Sequence, residues 1–166
     1  MTKPKITTRQ IALCGLIAAV YAAVTIATPF MAYGPFQFRI AEALCVLPAF
    51  LPITSLGLFV GCLIANLFST VSALDIIIGS AATLIAALWT SRCKKPWMIC
   101  LPPVVVNFVM VGAMLAYVYT PDAFLQGFLL MGAEVAFGEL VVLYALGLPL
   151  TLYLRRSGLD LRLQAL

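Results

Sequence analysis

The sequence contains no histidine, and charged residues make up only 10% of its 166 positions. Soluble domains carry about 25% charged residues, so this composition, with 64% hydrophobic residues, excludes a soluble globular protein. Without histidine the chain lacks the commonest metal ligand and a frequent acid–base catalyst. It also has no Gly-x-x-x-x-Gly-Lys loop for nucleotide phosphates. These absences argue against an enzyme and predict a membrane protein that binds a polar molecule without transforming it.

The cysteines form no Cys-x-x-Cys pair, and there is no histidine to complete a metal site with them. A free cysteine in an apolar run behaves as a small hydrophobic residue. We therefore expect neither a metal nor a cofactor, and we assign a packing role to the five cysteines, Cys14, Cys45, Cys62, Cys93 and Cys100.

Long apolar runs dominate the chain. A transmembrane helix needs about 20 apolar residues, so 166 residues can hold about six of them. We predict an all-α integral membrane protein with a single six-helix transmembrane domain over residues 1–166. Prolines, turn signals and charges divide it into spans at about residues 9–28, 39–53, 56–71, 75–91, 98–119 and 123–154. The last span is long enough to require a tilt or a kink, which Pro149 can supply.

The basic residues fall in three clusters that flank the predicted spans. With six spans, all three clusters lie on one side of the membrane, and positive charge accumulates in the cytoplasm. We therefore predict a multi-pass protein of the cell membrane with both termini cytoplasmic. The net charge of +4 reports this topology rather than a nucleic-acid partner. The clusters are Lys3, Lys5 and Arg9, then Arg92, Lys94 and Lys95, then Arg155 and Arg156.

Polar residues inside the apolar runs are the candidates for a binding site. An ionised side chain near the middle of a bilayer costs roughly 2.5–3.5 kcal/mol, so it is kept mostly where it contacts another polar group, water or a ligand. Four of the six acidic residues lie in or at the rim of a predicted span, together with one arginine and three amides. The predicted substrate-binding residues are Gln37, Arg39, Glu42, Asn66, Asp75, Asn107, Glu134 and Glu139.

Their spacing leaves several roles open. Arg39 and Glu42 are three residues apart, so on a helix they form either a simple ion pair at the outer rim or, beside Gln37, the lid side of a pocket. Each asparagine is either an interhelical hydrogen bond or a ligand contact. Asp75 is either a helix cap or a site residue.

The two glutamates of the last span are five residues apart, which places them about 140° apart around a helix. Glu134 and Glu139 therefore cannot both point into one narrow pocket. Glu139 lies nearer the middle of the run, with no polar residue in its own turns, so it is the better candidate for a ligand contact.

Small residues recur every four positions in the first span, at Gly15, Ala19, Ala23 and Ala27. Such rows let another helix approach closely in a membrane. The row indicates either packing within this chain's own bundle or a docking surface for a different subunit, formed by Gly15, Ala19 and Ala23.

The run Gln37–Leu44, which leads to Leu47-Pro48, resembles the signature of the queuosine-precursor transporter (QueT) family. Its members are substrate-binding S-components of energy-coupling factor (ECF) transporters. The segment Gly15–Tyr21 is similar to the family's first helix, with Gly15 where alanine is more usual. Gly138–Leu140 and Gly147–Leu150 are similar to its last helix. Ala41 stands where the family has serine, which removes one hydroxyl from the rim of the site.

The resemblance implies a six-helix S-component that captures a 7-deazaguanine such as 7-aminomethyl-7-deazaguanine (preQ1) at its outer side. It further implies a partner transmembrane coupling subunit and two cytoplasmic ATPase subunits. A guanine-like ring offers adjacent N–H donors to a carboxylate such as Glu139. An aminomethyl cation requires a second acid, Glu42 or Asp75. Aromatic residues cover the ring, for which the candidates are Tyr33, Phe36 and Phe38.

Three alternatives remain at this stage. The nearest is an S-component for another vitamin-like compound. A second is a self-sufficient homo-oligomeric transporter or channel, in which the small-residue row mediates self-association and the acids couple ions. The third, an integral membrane enzyme, is disfavoured because no serine–base pair and no paired metal-binding acids are present.

Overall fold

The computed structural model describes residues 6–32, 37–69 and 71–164. Within these ranges the chain is helical and contains no β-strand. The α-helices are α1 (Thr8–Ala27), α2 (Pro29–Ala32), α3 (Thr54–Asn66), α4 (Ala73–Thr90), α5 (Pro96–Ile99), α6 (Leu101–Tyr119), α7 (Phe124–Val142), α8 (Leu148–Arg156) and α9 (Leu159–Gln164). Short 3₁₀ or π segments lie at Ile40–Ala49, Pro121–Ala123 and Leu143–Gly147.

Among the described residues, four helical stretches are long and apolar enough to cross a membrane, whereas we predicted six spans. They are Thr8–Ala27, Ala73–Thr90, Pro96–Tyr119 and Pro121–Arg156. The other two predicted spans correspond to shorter apolar helices, Ile40–Ala49 and Thr54–Asn66. At 1.5 Å per residue in an α-helix and 2.0 Å in a 3₁₀-helix, each of these extends only about 20 Å, against a hydrocarbon layer of ~30 Å.

The segment Ile40–Ala49 is a ten-residue 3₁₀-helix, where the sequence predicted an ordinary span over residues 39–53. Pro48 lies inside it and has no amide hydrogen to donate to the preceding turn. Runs of 3₁₀-helix longer than three or four residues are uncommon because their hydrogen-bond geometry is poor. Tertiary packing therefore holds this segment, which contacts α1, α3, α4, α7, α8 and the π segment.

Close packing of α1 on α3 depends on two glycines of α3. A Cβ atom on Gly57 would lie 2.6 Å from the carbonyl oxygen of Cys14, and one on Gly61 would lie 2.8 Å from that of Ala18. No larger residue fits there without moving a helix backbone. The inner face of α1 is thereby fixed against α3, and its buried residues include Ala18 and Ala22.

The opposite side of the molecule is formed by α4, α6 and α7, with α6 lying between the other two. A Cβ on Gly112 of α6 would lie 2.6 Å from the Cα of Gly132 in α7, so these helices meet backbone to backbone. The same pairing of α6 and α7 brings Asn107, in the first half of α6, alongside Glu139, in the last turn of α7.

The last long helical stretch changes geometry where we predicted a kink. The π segment Leu143–Gly147 joins α7 to α8, and Pro149 follows it as the second residue of α8. Proline cannot donate to the turn before it, which frees a carbonyl there. The Cys100 thiol donates to the carbonyl of Leu143 at 3.5 Å, which satisfies one acceptor of the widened turn.

Candidate functional site

Seven of the eight predicted substrate-binding residues are buried, none of them with more than 4% of its surface exposed. Burial of this many charged and amide side chains among apolar helices requires partners for each of them. The seven residues are Gln37, Arg39, Glu42, Asn66, Asp75, Asn107 and Glu139.

Arg39 forms a buried ion pair with Asp75, with 3.2 Å between Nη2 and Oδ2. The same nitrogen donates to Asn66 Oδ1 at 3.2 Å, and Nε donates to the carbonyl of Ala32 at 3.4 Å. One side chain thus connects the end of α2 with α3 and α4. Of the two alternatives for Arg39, the exposed ion pair does not describe it, because the guanidinium is buried inside the protein.

The predicted ion pair between Arg39 and Glu42 is also wrong. Arg39 precedes the 3₁₀ segment and has an extended backbone, with φ −76° and ψ 91°. The rule that residues three apart share a helical face applies only inside a helix, so it does not bring these two side chains into contact.

Asp75 does not cap α4, which corrects the capping alternative. The N-cap is Ser72, whose hydroxyl accepts from the amide of Leu74. The Asp75 carboxylate instead accepts from the Ser69 hydroxyl at 2.8 Å and from Arg39, both through Oδ2. Its second oxygen, Oδ1, is buried and has no hydrogen-bond partner among the described residues.

Asn66 joins α3 to α4. Its Nδ2 donates to the main-chain carbonyl of Asp75 at 2.9 Å and to the hydroxyl of Ser80 at 3.4 Å, while its oxygen accepts from Arg39. The interhelical alternative therefore describes Asn66, which also orients the ion pair beside it.

Glu42 is held by two side chains that sequence reasoning missed. The hydroxyl of Tyr21 donates to Oε1, and the thiol of Cys45 lies 2.7 Å from Oε2. Tyr21 is fully buried on the inner face of α1. A buried tyrosine usually finds a partner for its hydroxyl, and this was the available signal, because Tyr21 lies in the middle of an apolar run.

Glu139 pairs with Asn107, whose Nδ2 donates to Oε1 at 2.8 Å. This bond links α6 to α7 next to their glycine contact. The other oxygen, Oε2, is buried without a hydrogen-bond partner in the part of the chain that the structure describes. A buried polar atom without a partner costs roughly 1–3 kcal/mol. Among the described side chains of α6 and α7, Oε2 is therefore the acceptor that most requires a donor.

The charged groups are near enough to influence one another. Arg39 attracts both Glu42 and Glu139, and these two carboxylates repel each other. With Asp75 included, one positive and three negative groups give a formal charge of −2 when all four are ionised. When all four are ionised, the buried cluster carries more negative than positive charge, and two of its carboxylate oxygens, Asp75 Oδ1 and Glu139 Oε2, have no hydrogen-bond partner among the described residues.

Two predicted site residues are placed differently from the rest. Glu134 is only half-buried and forms no hydrogen bond with any described residue, so the two glutamates of the last long helix are not brought together as a pair.

Gln37 is buried with a positive φ of 42°, and its carbonyl accepts from the amide of Arg39 at 2.8 Å. This tight turn directs the chain into the 3₁₀ segment.

Of the three aromatic candidates, Tyr33 and Phe36 lie outside the described residues. Phe38 packs edge-on against Phe137 of α7, with 6.4 Å between the ring centres. The contact joins the beginning of the 3₁₀ segment to the helix that carries Glu139.

The small-residue row of α1 lies on the outside of the molecule. Gly15, Ala19, Ala23 and Ala27 are all exposed, and a Cβ placed on Gly15 would have no atom within 4 Å. The neighbouring row, with Ala18 and Ala22, is the one that faces the interior. The two rows therefore have different surroundings, although the sequence does not separate them.

Over residues 6–32, 37–69 and 71–164, no group of three or more histidine, cysteine or acidic side chains could hold a metal ion. The buried cluster is suited to binding a ligand by charge and hydrogen bonds. The model of one protein family, described as QueT transporter, matches residues 11–156, from the first turns of α1 to the end of α8. The chain belongs to the QueT transporter family. A search of curated proteins and a search of solved structures each returned no match.

Membership in the QueT transporter family confirms the resemblance noted from the sequence, and the match extends over nearly the whole chain. A QueT transporter belongs in a membrane, which agrees with the four long apolar helices.

Proposed function

We propose that this protein is the substrate-binding S-component of an ECF-type importer, and that it captures preQ1 or a related 7-deazaguanine from outside the cell. A partner transmembrane subunit and two cytoplasmic ATPase subunits then complete transport. Substrate is bound between the 3₁₀ segment, α4, α6 and α7. The molecule forms one domain in the cell membrane with both termini cytoplasmic, a topology that the distribution of basic residues along the sequence supports.

The observation that carries this proposal is the buried carboxylate of Glu139. One oxygen is oriented by Asn107, and the other, Oε2, has no hydrogen-bond partner among the described residues. The adjacent ring N–H and exocyclic amino group of a guanine-like base offer two parallel donors. A carboxylate accepts such a pair strongly, so binding would satisfy Oε2 and offset the cost of burying the acid.

The excess negative charge supports a ligand that carries a positive charge. Arg39 is already paired with Asp75, whereas the donors to Glu42 among the described residues are a hydroxyl and a thiol, both neutral. Glu42 is therefore the better partner for the aminomethyl cation of preQ1. Its repulsion with Glu139 is relieved when a cation lies between them.

The exposed row of α1 supports docking to another subunit. The exposed strip consists of the small residues Gly15, Ala19 and Ala23. A Cβ placed on Gly15 would have no atom within 4 Å, so there is room for another helix to approach. Because the sequence has no phosphate-binding loop, the energy for uphill uptake would come from the partner ATPases through this contact.

Isothermal titration of the purified chain with preQ1, its nitrile analogue preQ0, and guanine tests the proposed substrate. We expect the tightest binding for preQ1, because only preQ1 brings a cation to the acidic interior. Removing one charge–charge contact between buried groups weakens binding by at least about tenfold, so preQ0 should bind at least that much more weakly. Absence of heat with all three compounds would refute the substrate assignment.

Glu139→Gln should weaken preQ1 binding at least about tenfold, that is by 1.4 kcal/mol or more, without unfolding the protein. The amide keeps the size of the side chain but replaces an acceptor with a donor that faces the ligand's own donors. Titration calorimetry measures the loss, and the midpoint of thermal unfolding checks the fold. Glu134→Gln, the same change at the half-buried acid of α7, is the matched control and should change the affinity far less. An equal loss in both variants would contradict the role given to Glu139.

A further inference from the structure

A cavity opens at the end of the molecule that carries Arg92, Lys94 and Arg155. It has a volume of about 470 Å³. Residues from the end of the 3₁₀ segment, from the α4–α5 connection, from α8 and from α9 surround it, among them Ala49, Phe50, Arg92, Lys94, Arg155 and Asp160. A volume of this size is in the range of small-molecule sites.

Basic side chains from distant parts of the sequence converge on this cavity. Arg92 and Lys94 come from the α4–α5 connection and Arg155 from the end of α8, so three positive charges face a single acid, Asp160. The surplus of two positive charges is local, because the neighbouring Lys95 and Arg156 do not line the cavity.

Arg155 is held in place before any ligand arrives. One terminal nitrogen donates to the carbonyl of Lys94, and the guanidinium lies 5.9 Å from the centre of the Phe50 ring. Although the guanidinium is held by a carbonyl group and an aromatic ring, it retains further N–H donors, and their planar arrangement suits a phosphate. Pre-ordering also reduces the entropy lost on binding.

Two exposed tryptophans indicate that the cavity lies near the depth of lipid headgroups. The chain's two tryptophans, Trp89 at the end of α4 and Trp97 in α5, flank the α4–α5 connection and are 45% and 52% exposed. Exposed tryptophans mark the boundary between hydrocarbon and water. Partial burial raises the pKa of the Cys93 thiol in this connection, so the thiol stays protonated at neutral pH and adds no negative charge.

We propose that this cavity binds the headgroup of an anionic phospholipid, with Arg155, Lys94 and Arg92 around the phosphate. Basic pockets on the cytoplasmic side of helical membrane proteins suit such headgroups. Ala49 and Phe50 offer an apolar wall to the glycerol backbone. The carboxylate of Asp160 accepts from the amide of Leu161 through Oδ1, which leaves Oδ2 for a headgroup hydroxyl. The identity of the transported solute has no bearing on this site.

Native mass spectrometry of the full chain, released from a neutral detergent, tests the site. The protein is offered an equimolar mixture of phosphatidylglycerol and phosphatidylcholine with identical acyl chains. We expect one phosphatidylglycerol to be retained selectively. Glycerol phosphate and inorganic phosphate, added as competitors at the same concentration as the lipid, should not displace it. Equal retention of both lipids would overturn the proposal, and displacement by either soluble phosphate would assign the site to a soluble anion instead.

Matched variants distinguish a site from general attraction. Arg155→Gln and Lys94→Gln should each reduce the retained phosphatidylglycerol by roughly fivefold or more, whereas Arg156→Gln and Lys95→Gln remove the same charge beside the cavity and should have little effect. An unchanged unfolding midpoint shows that each variant is folded. If Arg156→Gln reduced the retained phosphatidylglycerol as much as Arg155→Gln, the proposal that the cavity is the lipid site would be refuted.

Discussion

Replacing Arg39 with methionine is expected to destabilise the protein by about 3–5 kcal/mol, the usual cost of breaking a buried ion pair from one side. Asp75 is fully buried, and without Arg39 its carboxylate would keep only the Ser69 hydroxyl as a donor to Oδ2. It would then remain charged and poorly compensated, or bind a proton. Asn66 would also lose a donor to its oxygen. The loss is measured as a lower midpoint of denaturant-induced unfolding in micelles.

A double variant separates the ion pair from the size of the side chain. Adding Asp75→Asn to Arg39→Met removes the stranded negative charge while the hydroxyl of Ser69 keeps an acceptor, so much of the lost stability should return. The single variant Arg39→Lys keeps the positive charge but loses the branched guanidinium that reaches Asn66, Asp75 and the carbonyl of Ala32. Its stability should lie between that of the parent and that of Arg39→Met. A single Arg39→Met variant as stable as the parent would show that the pair contributes nothing.

Ala19→Leu is expected to abolish uptake by the assembled transporter while leaving preQ1 binding to the isolated chain unchanged. Ala19 is exposed in the middle of the α1 row, so a larger side chain there disturbs nothing within the described chain. It would, however, hold an approaching helix away from α1, and close approach is what small-residue rows permit. Uptake of labelled preQ1 into proteoliposomes that contain all subunits measures the first effect, and titration calorimetry measures the second.

Ala133→Leu is the matched control, because Ala133 is an exposed alanine on α7 rather than α1. It should preserve both binding and uptake. Loss of binding in Ala19→Leu would show that the row serves the chain's own packing. Uptake by the chain alone, with no ATPase present, would favour a self-sufficient transporter in which the row mediates self-association.

The long helices could be predicted from the sequence because apolar runs, prolines and charges mark their ends. The first span was predicted at residues 9–28, and α1 covers Thr8–Ala27. The 3₁₀ segment could not be predicted in this way. Its residues are as apolar as those of a span, and the tertiary contacts that hold it in this tighter helix come from α1, α3, α4 and α7, which are distant in the sequence.

The members of the buried cluster were also predictable, since a charge inside an apolar run is rare and requires a reason. Their partners were not. Arg39 pairs with a residue 36 positions away, and no local spacing rule describes such a contact. Tyr21 was missed because it lies inside an apolar run and was counted with the hydrophobic residues, although a buried tyrosine hydroxyl usually requires a partner, which here is Glu42.

The shortness of the 3₁₀ segment has a consequence for the biogenesis of the protein. A segment enters the bilayer from the translocon on the strength of its own apolar length, and Ile40–Ala49 extends only about 20 Å, too little to cross ~30 Å of hydrocarbon. It also carries Glu42, and that side chain needs Tyr21 from an earlier helix. We therefore expect the nascent chain to keep this segment at the membrane surface until later helices have been synthesised, so that its insertion is a step of tertiary assembly.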